Sequence, residues 1–210
     1  MPKVPAKVEE GARELARRDR VLRLALKSYG PPDFRRARPR RTHFAELARA
    51  ICYQQLAGKA AAAIHGRFDA LFDGLPTPEA VLAAPTEQLR GAGLSASKTA
   101  SIVDLAEKVE AGLVELDRMS RLPDDDVVRE LTLVRGIGEW TAHMFLMFQL
   151  GRIDVWPVGD FGVRNGYARL YGLPEMLPPK QLEPEGERFR PYRSIVAWWC
   201  WRAVDSVVPD

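Results

Sequence analysis

Residues 131–142 read Leu-Thr-Leu-Val-Arg-Gly-Ile-Gly-Glu-Trp-Thr-Ala, and this segment is the most informative one about the fold. Two glycines one residue apart can adopt backbone angles that are closed to residues with a Cβ, so the stretch predicts a tight turn between two helices. Apolar side chains at 131, 134 and 137 are expected to bury one side of that turn. Glycine also lets the backbone approach a phosphate oxygen, which N–H groups opening the second helix can bind without reading bases. A Gly-x-Gly pair alone is equally typical of ordinary turns between packed helices, and the longer pattern is more specific.

Helical signals also dominate the rest of the chain, and the absence of sustained alternation predicts an all-α protein. Longer helices are expected over Glu9–Lys27, Phe44–Gln54 after a Thr42 cap, Lys59–Phe72, 98–111 after a cap at Ser95 or Ser97, 161–170 and 191–204. Shorter ones are expected after Pro76, after Pro85 and from Pro123 into the turn, whereas the proline-rich stretch 173–184 is expected to be a loop. Chain order favours a single domain of two helical lobes, a central one near 44–150 and a second from about 1–43 and 151–210.

The composition is that of an ordinary soluble globular protein, with 46% hydrophobic and 28% charged residues. No stretch approaches the roughly 18 apolar residues of a membrane-spanning helix, and the first residues lack the apolar core of a signal peptide. Cys52 and Cys200 are the only cysteines, too few for a disulfide framework or a four-thiolate metal site. The three histidines, His43, His65 and His143, show no metal-binding spacing.

Positive charge is concentrated at the start of the chain. Residues 1–41 hold 13 Lys or Arg against 5 Asp or Glu, and residues 34–41, Phe-Arg-Arg-Ala-Arg-Pro-Arg-Arg, form the densest basic run. Such a run can lie along a phosphate backbone, or it can be a solvated surface loop. Charge alone leaves both interpretations open.

Several motifs together resemble one family. Residues 131–142 resemble the helix-hairpin-helix DNA-binding motif, and an aspartate, Asp160, follows the second glycine after 22 residues. The resemblance extends to residues 50–61, Ala-Ile-Cys-Tyr-Gln-Gln-Leu-Ala-Gly-Lys-Ala-Ala, to residues 93–98, Gly-Leu-Ser-Ala-Ser-Lys, and to residues 190–201, where Arg-Pro-Tyr-Arg-Ser precedes Trp-Trp-Cys-Trp. Over about residues 42–205 the chain therefore resembles the HhH-GPD superfamily of base-excision DNA glycosylases, and within it the alkylation-repair, 3-methyladenine DNA glycosylase II branch.

Two departures from that branch are visible. Arg135 stands where the hairpin usually carries a proline, which leaves the turn intact and can add a phosphate contact. The N-terminal β lobe of the larger bacterial enzymes has no counterpart in the first 41 residues, so the chain resembles the compact form.

The resemblance makes Asp160, in the segment Val-Trp-Pro-Val-Gly-Asp-Phe at 155–161, the catalytic carboxylate. A carboxylate beside the anomeric carbon stabilises the positive charge that develops on the sugar as an N-glycosidic bond breaks. Position alone favours a helix cap for Asp160, and both roles are compatible. Asp154 is the alternative candidate for the catalytic carboxylate, and it is expected to end the preceding helix or to pair with a neighbouring basic side chain.

The same resemblance places aromatic walls around a base flipped out of the duplex. Trp140, Phe161 and Trp201 are the expected walls, with Met144 as a further lining residue or a core residue. An N-alkylated purine is cationic, and an aromatic face attracts a cation by about 0.5–2 kcal/mol.

Contacts to duplex DNA are expected from the hairpin and from the 50–61 segment. The residues implied are Gln54, Gln55, Leu56, Lys59, Arg135, Gly136, Gly138 and Thr141. Gln55 or Leu56 is expected to fill the gap left by the flipped base, while Gln54 or Gln55 contacts base edges. Without the resemblance, Leu56 is a core leucine and the glutamines belong to a turn.

The expected activity is monofunctional. Glycosylase/lyases of the superfamily place a Schiff-base lysine just before the Thr-Ala of the hairpin, where this chain has Trp140, and the four cysteines of the iron–sulfur branch are missing. No cofactor is required, although the family binds a monovalent cation, Na⁺ or K⁺, through hairpin carbonyls that correspond to Thr132, Val134 and Ile137. We expect a monomeric, cytoplasmic protein, nucleoid-associated if prokaryotic, that excises 3-methyladenine or 7-methylguanine from double-stranded DNA. The alternatives are a non-catalytic helix-hairpin-helix clamp and a glycosylase for other damaged bases.

Overall fold

The computed structural model describes residues 6–34 and 41–204, and within these ranges the chain is helical without a strand. The all-α prediction is confirmed. Most of the basic run at 34–41 lies outside the described residues. The helices are α1 (Ala6–Arg18), α2 (Arg20–Tyr29), α3 (His43–Tyr53), α4 (Gly58–Asp69), α5 (Pro78–Ala83), α6 (Thr86–Gly91), α7 (Ala96–Glu110), α8 (Asp124–Leu131), α9 (Glu139–Met144), α10 (Phe161–Tyr171), α11 (Pro179–Glu185) and α12 (Arg193–Ala203). Shorter helical turns of other types cover Leu116–Arg121, Phe145–Gln149 and Glu187–Phe189. No helix in the described ranges combines the length and apolar character needed to cross a bilayer.

The chain divides into two compact units, and each is described by itself. Unit 1 consists of Met1–Ala37 and Leu146–Asp210, and unit 2 is Arg38–Phe145. Sequence reasoning placed the corresponding boundaries at about 44 and 150, a few residues later in the chain.

Unit 1 is built around α12, which is buried on nearly every side. A helix that is apolar all round belongs inside a core. Helix α10 packs against it so closely that a Cβ on Gly166 would lie 2.0 Å from the carbonyl oxygen of Cys200. Helix α2 is attached by the indole of Trp199, which donates a 2.9 Å hydrogen bond to the carbonyl of Gly30.

Two sequence-based expectations in unit 1 are wrong. The single helix over Glu9–Lys27 is interrupted at Asp19, whose extended backbone ends α1 and whose carboxylate accepts the N–H groups of Val21 and Leu22 as the cap of α2. The proline-rich stretch 173–184 was expected to be a loop, but α11 begins within it at Pro179. Leu182 on that helix is fully buried and its carbonyl accepts the indole N–H of Trp156, so a distant core residue stabilises a segment of weak local propensity.

Unit 2 contains α3 to α9, and side-chain caps start α3 and α7 as the sequence predicts. The hydroxyl of Thr42 accepts the N–H of Ala45 at the start of α3. Ser95 is the cap of α7, which settles the choice between the two serines. Helix α7 packs against both α3 and α5, and it lies beneath the turn that joins α8 to α9.

Candidate functional site

The predicted turn of unit 2 has the expected hairpin geometry. Leu131, Val134 and Ile137 are buried, which confirms the apolar pattern. Gly136 has a φ of +76°, and a Cβ there would lie 2.6 Å from the hydroxyl of Ser101 on α7. Both backbone conformation and packing therefore require glycine at this position.

The second glycine of the hairpin differs from the first. Gly138 caps α9 with a φ of −96°, and a Cβ built on it meets no atom within 4 Å. Neither backbone strain nor internal packing explains glycine here. An exposed backbone without a side chain leaves room for the close approach of a ligand, which agrees with the phosphate contact expected of this turn.

A carboxylate on α7 holds the start of the hairpin. Oδ2 of Asp104 accepts the backbone N–H of Arg135 at 2.7 Å, and Lys108 donates to Oδ1. Burial acts to raise the pKa of Asp104, but the hydrogen bonds from Lys108 and Arg135 outweigh it and lower that pKa below its usual range. Arg135 is exposed, as a contact between its guanidinium and a phosphate requires.

The turn after α3 also belongs to unit 2. Gln54 is half-buried, and its Nε2 donates a 2.9 Å hydrogen bond to the carbonyl of Gly136. Gln55 has a φ of +57°, the only positive φ of a non-glycine residue in the described ranges. Leu56 is 40% exposed and Lys59 is also exposed, so the structure shows no core role for Leu56.

Asp160 in unit 1 is the cap of α10 and is 8% exposed. Its Oδ1 accepts two hydrogen bonds, one of 2.7 Å from the N–H of Val163 and one of 2.8 Å from the indole Nε1–H of Trp201. A helix-capping role and a catalytic role for Asp160 are thus compatible, because the cap fixes the carboxylate on a rigid element.

The loop that leads to Asp160 is attached to the start of α12. Asp154 accepts hydrogen bonds from the side chains of Arg190 and Arg193, which confirms the prediction that it pairs with a basic side chain. The hydroxyl of Ser194 accepts the N–H of Val155, which fixes the next residue of the same loop.

The aromatic residues near Asp160 differ in exposure. Trp201 is 1% exposed and stacks on Phe148 with ring centroids 6.1 Å apart. Phe161 is 65% exposed on the first turn of α10. Burial raises the pKa of the Cys200 thiol, and the charge of Asp160 raises it further, so this thiol is no candidate nucleophile.

The remaining predicted pocket residues lie in unit 2. Trp140 is 43% exposed on the first turn of α9, whereas Met144 and Thr141 are buried. Burial supports the core alternative for Met144. No side-chain cap hydrogen bond starts α9, so the DNA contact expected of the buried Thr141 stays a prediction. A pocket that combines Trp140 with Phe161 and Trp201 stays a prediction.

Sequence reasoning missed two residues that shape the site. Phe148 covers one face of Trp201, and Gly162 leaves room for it, since a Cβ there would lie 2.7 Å from Cδ1 of Trp201 and 3.2 Å from Oδ1 of Asp160. The spacing of four between Gly162 and Gly166 on one helix was a signal of close packing that could have been used.

Within the part of the chain that the structure describes, no group of three or more His, Cys, Asp or Glu side chains could hold a metal ion. The hairpin carbonyls remain the candidate cation ligands. That of Val134 accepts the N–H of Ile137, and Thr132 caps the end of α8, where helix carbonyls lack intrahelical partners. Carbonyl oxygens are suitable ligands for a hard cation.

The helical fold and the glycine hairpin define the chain as a helix-hairpin-helix protein. The family model described as "HhH-GPD superfamily base excision DNA repair protein" matches residues 48–191, more than half of the chain, and the chain belongs to this family.

Individual relatives carry the comparison further. The chain is 36% identical over 170 residues to DNA-3-methyladenine glycosylase 1 of Schizosaccharomyces pombe, an alignment that covers 80% of this chain and 75% of that protein. A solved structure of the 3-methyladenine DNA glycosylase of that yeast in complex with abasic DNA matches with a TM-score of 0.79 and 33% identity over 92% of this chain and 95% of the other. A DNA-3-methyladenine glycosidase from Bacillus halodurans matches with a TM-score of 0.83 and 35% identity over 92% of this chain and 88% of the other.

Proposed function

We propose that this protein is a monofunctional DNA glycosylase that hydrolyses the N-glycosidic bond of alkylated purines, such as 3-methyladenine and 7-methylguanine, in duplex DNA. The observation that carries the proposal is the carboxylate of Asp160, held by the N–H of Val163 and the indole N–H of Trp201 in a chain of the HhH-GPD family. The names of the relatives above support the choice of alkylated purines over other damaged bases.

The chemistry asks little of the protein beyond electrostatic stabilisation of the sugar and one attacking water molecule. As the bond between the anomeric carbon and the purine nitrogen breaks, its electron pair leaves with the base and positive charge develops on the sugar. An N-alkylated purine is already cationic, so it leaves as a neutral base without being protonated. The carboxylate of Asp160 stabilises the oxocarbenium-like sugar, and water adds to the anomeric carbon and gives up a proton.

Duplex DNA is the proposed partner. Phosphate contacts are proposed for the exposed backbone at Gly136 and Gly138 and for the side chain of Arg135. Such contacts position DNA without reading its sequence. Gln55 and Leu56, both exposed on the turn after α3, are the candidates to fill the gap left by a flipped base. Trp140 and Phe161, which are both exposed, are the proposed walls for that base. Trp201 is almost fully buried, and its proposed role is to hold Asp160 through the indole N–H.

The absence of lyase activity is part of the proposal. Trp140 occupies the position before Thr141 at which bifunctional relatives carry a lysine, and an indole cannot form a Schiff base. Borohydride added during turnover should therefore trap no protein–DNA adduct. A trapped adduct would show a covalent intermediate and contradict the use of water.

The oligomeric state, the localisation and the ion requirement complete the proposal. The enzyme acts as a monomer in the cytoplasm and needs no cofactor for the chemical step. A bound Na⁺ or K⁺ would be held by the carbonyls of Thr132, Val134 and Ile137, where it would add positive charge to the phosphate-binding hairpin.

The decisive experiment is base release from methylated duplex DNA by the wild-type protein and by Asp160→Asn. Wild-type protein should release alkylated purines without cutting the strand, whereas the variant should lose release and still bind DNA. Asparagine can still cap α10, so loss of activity would report the charge and not the fold. Release by the variant at the wild-type rate would contradict the mechanism, and a panel of lesion-containing oligonucleotides would define the substrate range.

A further inference from the structure

The turn after α3 and the hairpin are joined by one side chain. Gln54 is the residue after α3, and its amide donates to the carbonyl of Gly136 in the middle of the hairpin, 82 positions away in the chain. This bond links two segments that the proposed function brings to DNA. A glutamine whose amide is bound to the protein backbone has a different task from one that contacts base edges.

Helix α7 supports both of these segments from one face. Lys98, Ser101 and Asp104 follow one another at a spacing of three, which places them along the same side of the helix. Lys98 donates a 2.8 Å hydrogen bond to the carbonyl of Cys52, immediately before the turn. Ser101 packs beneath Gly136, and Asp104 accepts the N–H of Arg135.

The turn after α3 contains a backbone conformation that is unfavourable unless neighbouring residues stabilise it. Gln55 has a φ of +57°, a conformation that costs a residue with a Cβ about 1 kcal/mol or more. Gln55 and Leu56 are exposed, so their own side chains supply little packing to hold this conformation. Hydrogen bonds at Cys52 and Gln54, three residues and one residue before Gln55, support the backbone in this conformation.

We propose that Gln54 is a positioning residue that couples the Gln55–Leu56 turn to the hairpin, so that the two DNA-contacting segments act as one rigid element. The inference rests on the proposed function for its effect on catalysis, but the coupling itself belongs to the free protein. It replaces the expectation that Gln54 contacts base edges, and it leaves that role to Gln55.

The test uses Gln54→Met, which keeps the length of the side chain and removes its hydrogen-bond donor without adding charge. Gln181→Met, an exposed glutamine on α11 of unit 1, is the matched control. Amide hydrogen exchange of the DNA-free protein should accelerate in Gln54→Met both at residues 55–58 and at residues 136–138, and stay unchanged elsewhere. Acceleration at neither segment, or at residues 55–58 alone, would overturn the coupling.

Catalysis supplies a second readout that a base-contacting role would not share. In single-turnover assays Gln54→Met should release the base about threefold to tenfold more slowly, the size of one net hydrogen bond, with affinity for undamaged duplex changed less than about twofold. A parallel loss of affinity, or a change of preference for the opposite base, would identify Gln54 as a base reader and contradict the proposal. A wild-type protein inactive on every alkylated base would refute the proposed function, while the exchange result would still decide the coupling.

Discussion

The indole Nε1–H of Trp201 donates a 2.8 Å hydrogen bond to Oδ1 of Asp160 across 41 positions of sequence. The same oxygen accepts the N–H of Val163, so one carboxylate oxygen is fixed by a donor from its own helix and a donor from α12. Trp201 is itself immobilised, since it is almost fully buried and stacked on Phe148. The orientation of the proposed catalytic carboxylate therefore depends on the packing of α10 against α12.

Removal of the indole donor should slow catalysis more than it weakens DNA binding. Trp201→Phe keeps an aromatic ring but cannot donate to Asp160, and a hydrogen bond to a charged group contributes about 1.5–3 kcal/mol. We expect base release in single-turnover assays to fall by about tenfold or more. Trp198→Phe, which changes a half-buried indole on the same helix, should leave the rate unchanged. Equal effects of the two variants would show that general loss of packing, and not the bond to Asp160, is responsible.

A methyl group at Gly162 should disturb the same relationship. Its Cβ would lie 2.7 Å from Cδ1 of Trp201, so Gly162→Ala must displace the indole or the helix, at a cost of about 1–3 kcal/mol in stability. Gly66→Ala on α4 is the matched control, because that helical glycine has nothing within 4 Å of its Cβ position. It should stabilise the protein by about 0.5–1 kcal/mol in denaturant unfolding. A neutral effect of Gly162→Ala on both stability and base release would contradict the close packing of α10 on Trp201.

The hairpin should not accept the proline that its relatives usually carry before the first glycine. Arg135→Pro removes the N–H that Asp104 accepts at 2.7 Å and leaves a part-buried carboxylate without that donor. We expect a loss of about 1–3 kcal/mol in the free energy of unfolding. In an Asp104→Ala background the same proline should cost much less, as a double-mutant cycle would measure. If the unfolding free-energy costs of Arg135→Pro and Asp104→Ala were additive, the hydrogen bond to Asp104 would not explain why proline is unfavourable at position 135.

Stability should fall on mild acidification because of His65 in unit 2. Burial lowers the pKa of His65 and the charges of Arg41 and Arg49 lower it further, against Asp69 and Glu46, which raise it. The unfolded imidazole takes up a proton near about pH 6.5, so below that pH the unfolded state binds more protons than the folded state. The contribution is fully present above about pH 6.5 and is lost as the pH falls toward the lower pKa of the folded protein.

Urea unfolding at about pH 7.5 and about pH 5.5 checks this expectation. Wild-type protein should lose stability at the lower pH, and His65→Gln should reduce that loss. Gln181→Met, which removes no titratable group, should retain the wild-type difference between the two pH values. If His65→Gln also retained the full difference, other groups would have to account for it.

Much of the fold could be predicted from the sequence because its signals are local. The Thr42 cap depends on a residue three positions away, and the apolar pattern at 131, 134 and 137 has a spacing of three that is visible in the sequence. The interruption at Asp19 was equally local, and sequence reasoning missed it because the apolar periodicity continues through the cap. Helix α11 was not predictable in this way, since Leu182 becomes buried through contacts with residues far along the chain.

The all-α fold, the hairpin and the family follow from the sequence, and through that family Asp160 is the catalytic candidate. How these residues are held became visible in the packing of the helices. The bond from Trp201 to Asp160, the bond from Gln54 to Gly136 and the pairing of Asp154 with Arg193 each join residues at least 39 positions apart. A glycine turn or a helix cap is set by the torsion angles and hydrogen bonds of adjacent residues, whereas the orientation of a side chain at the site is set by whichever helix packs against it.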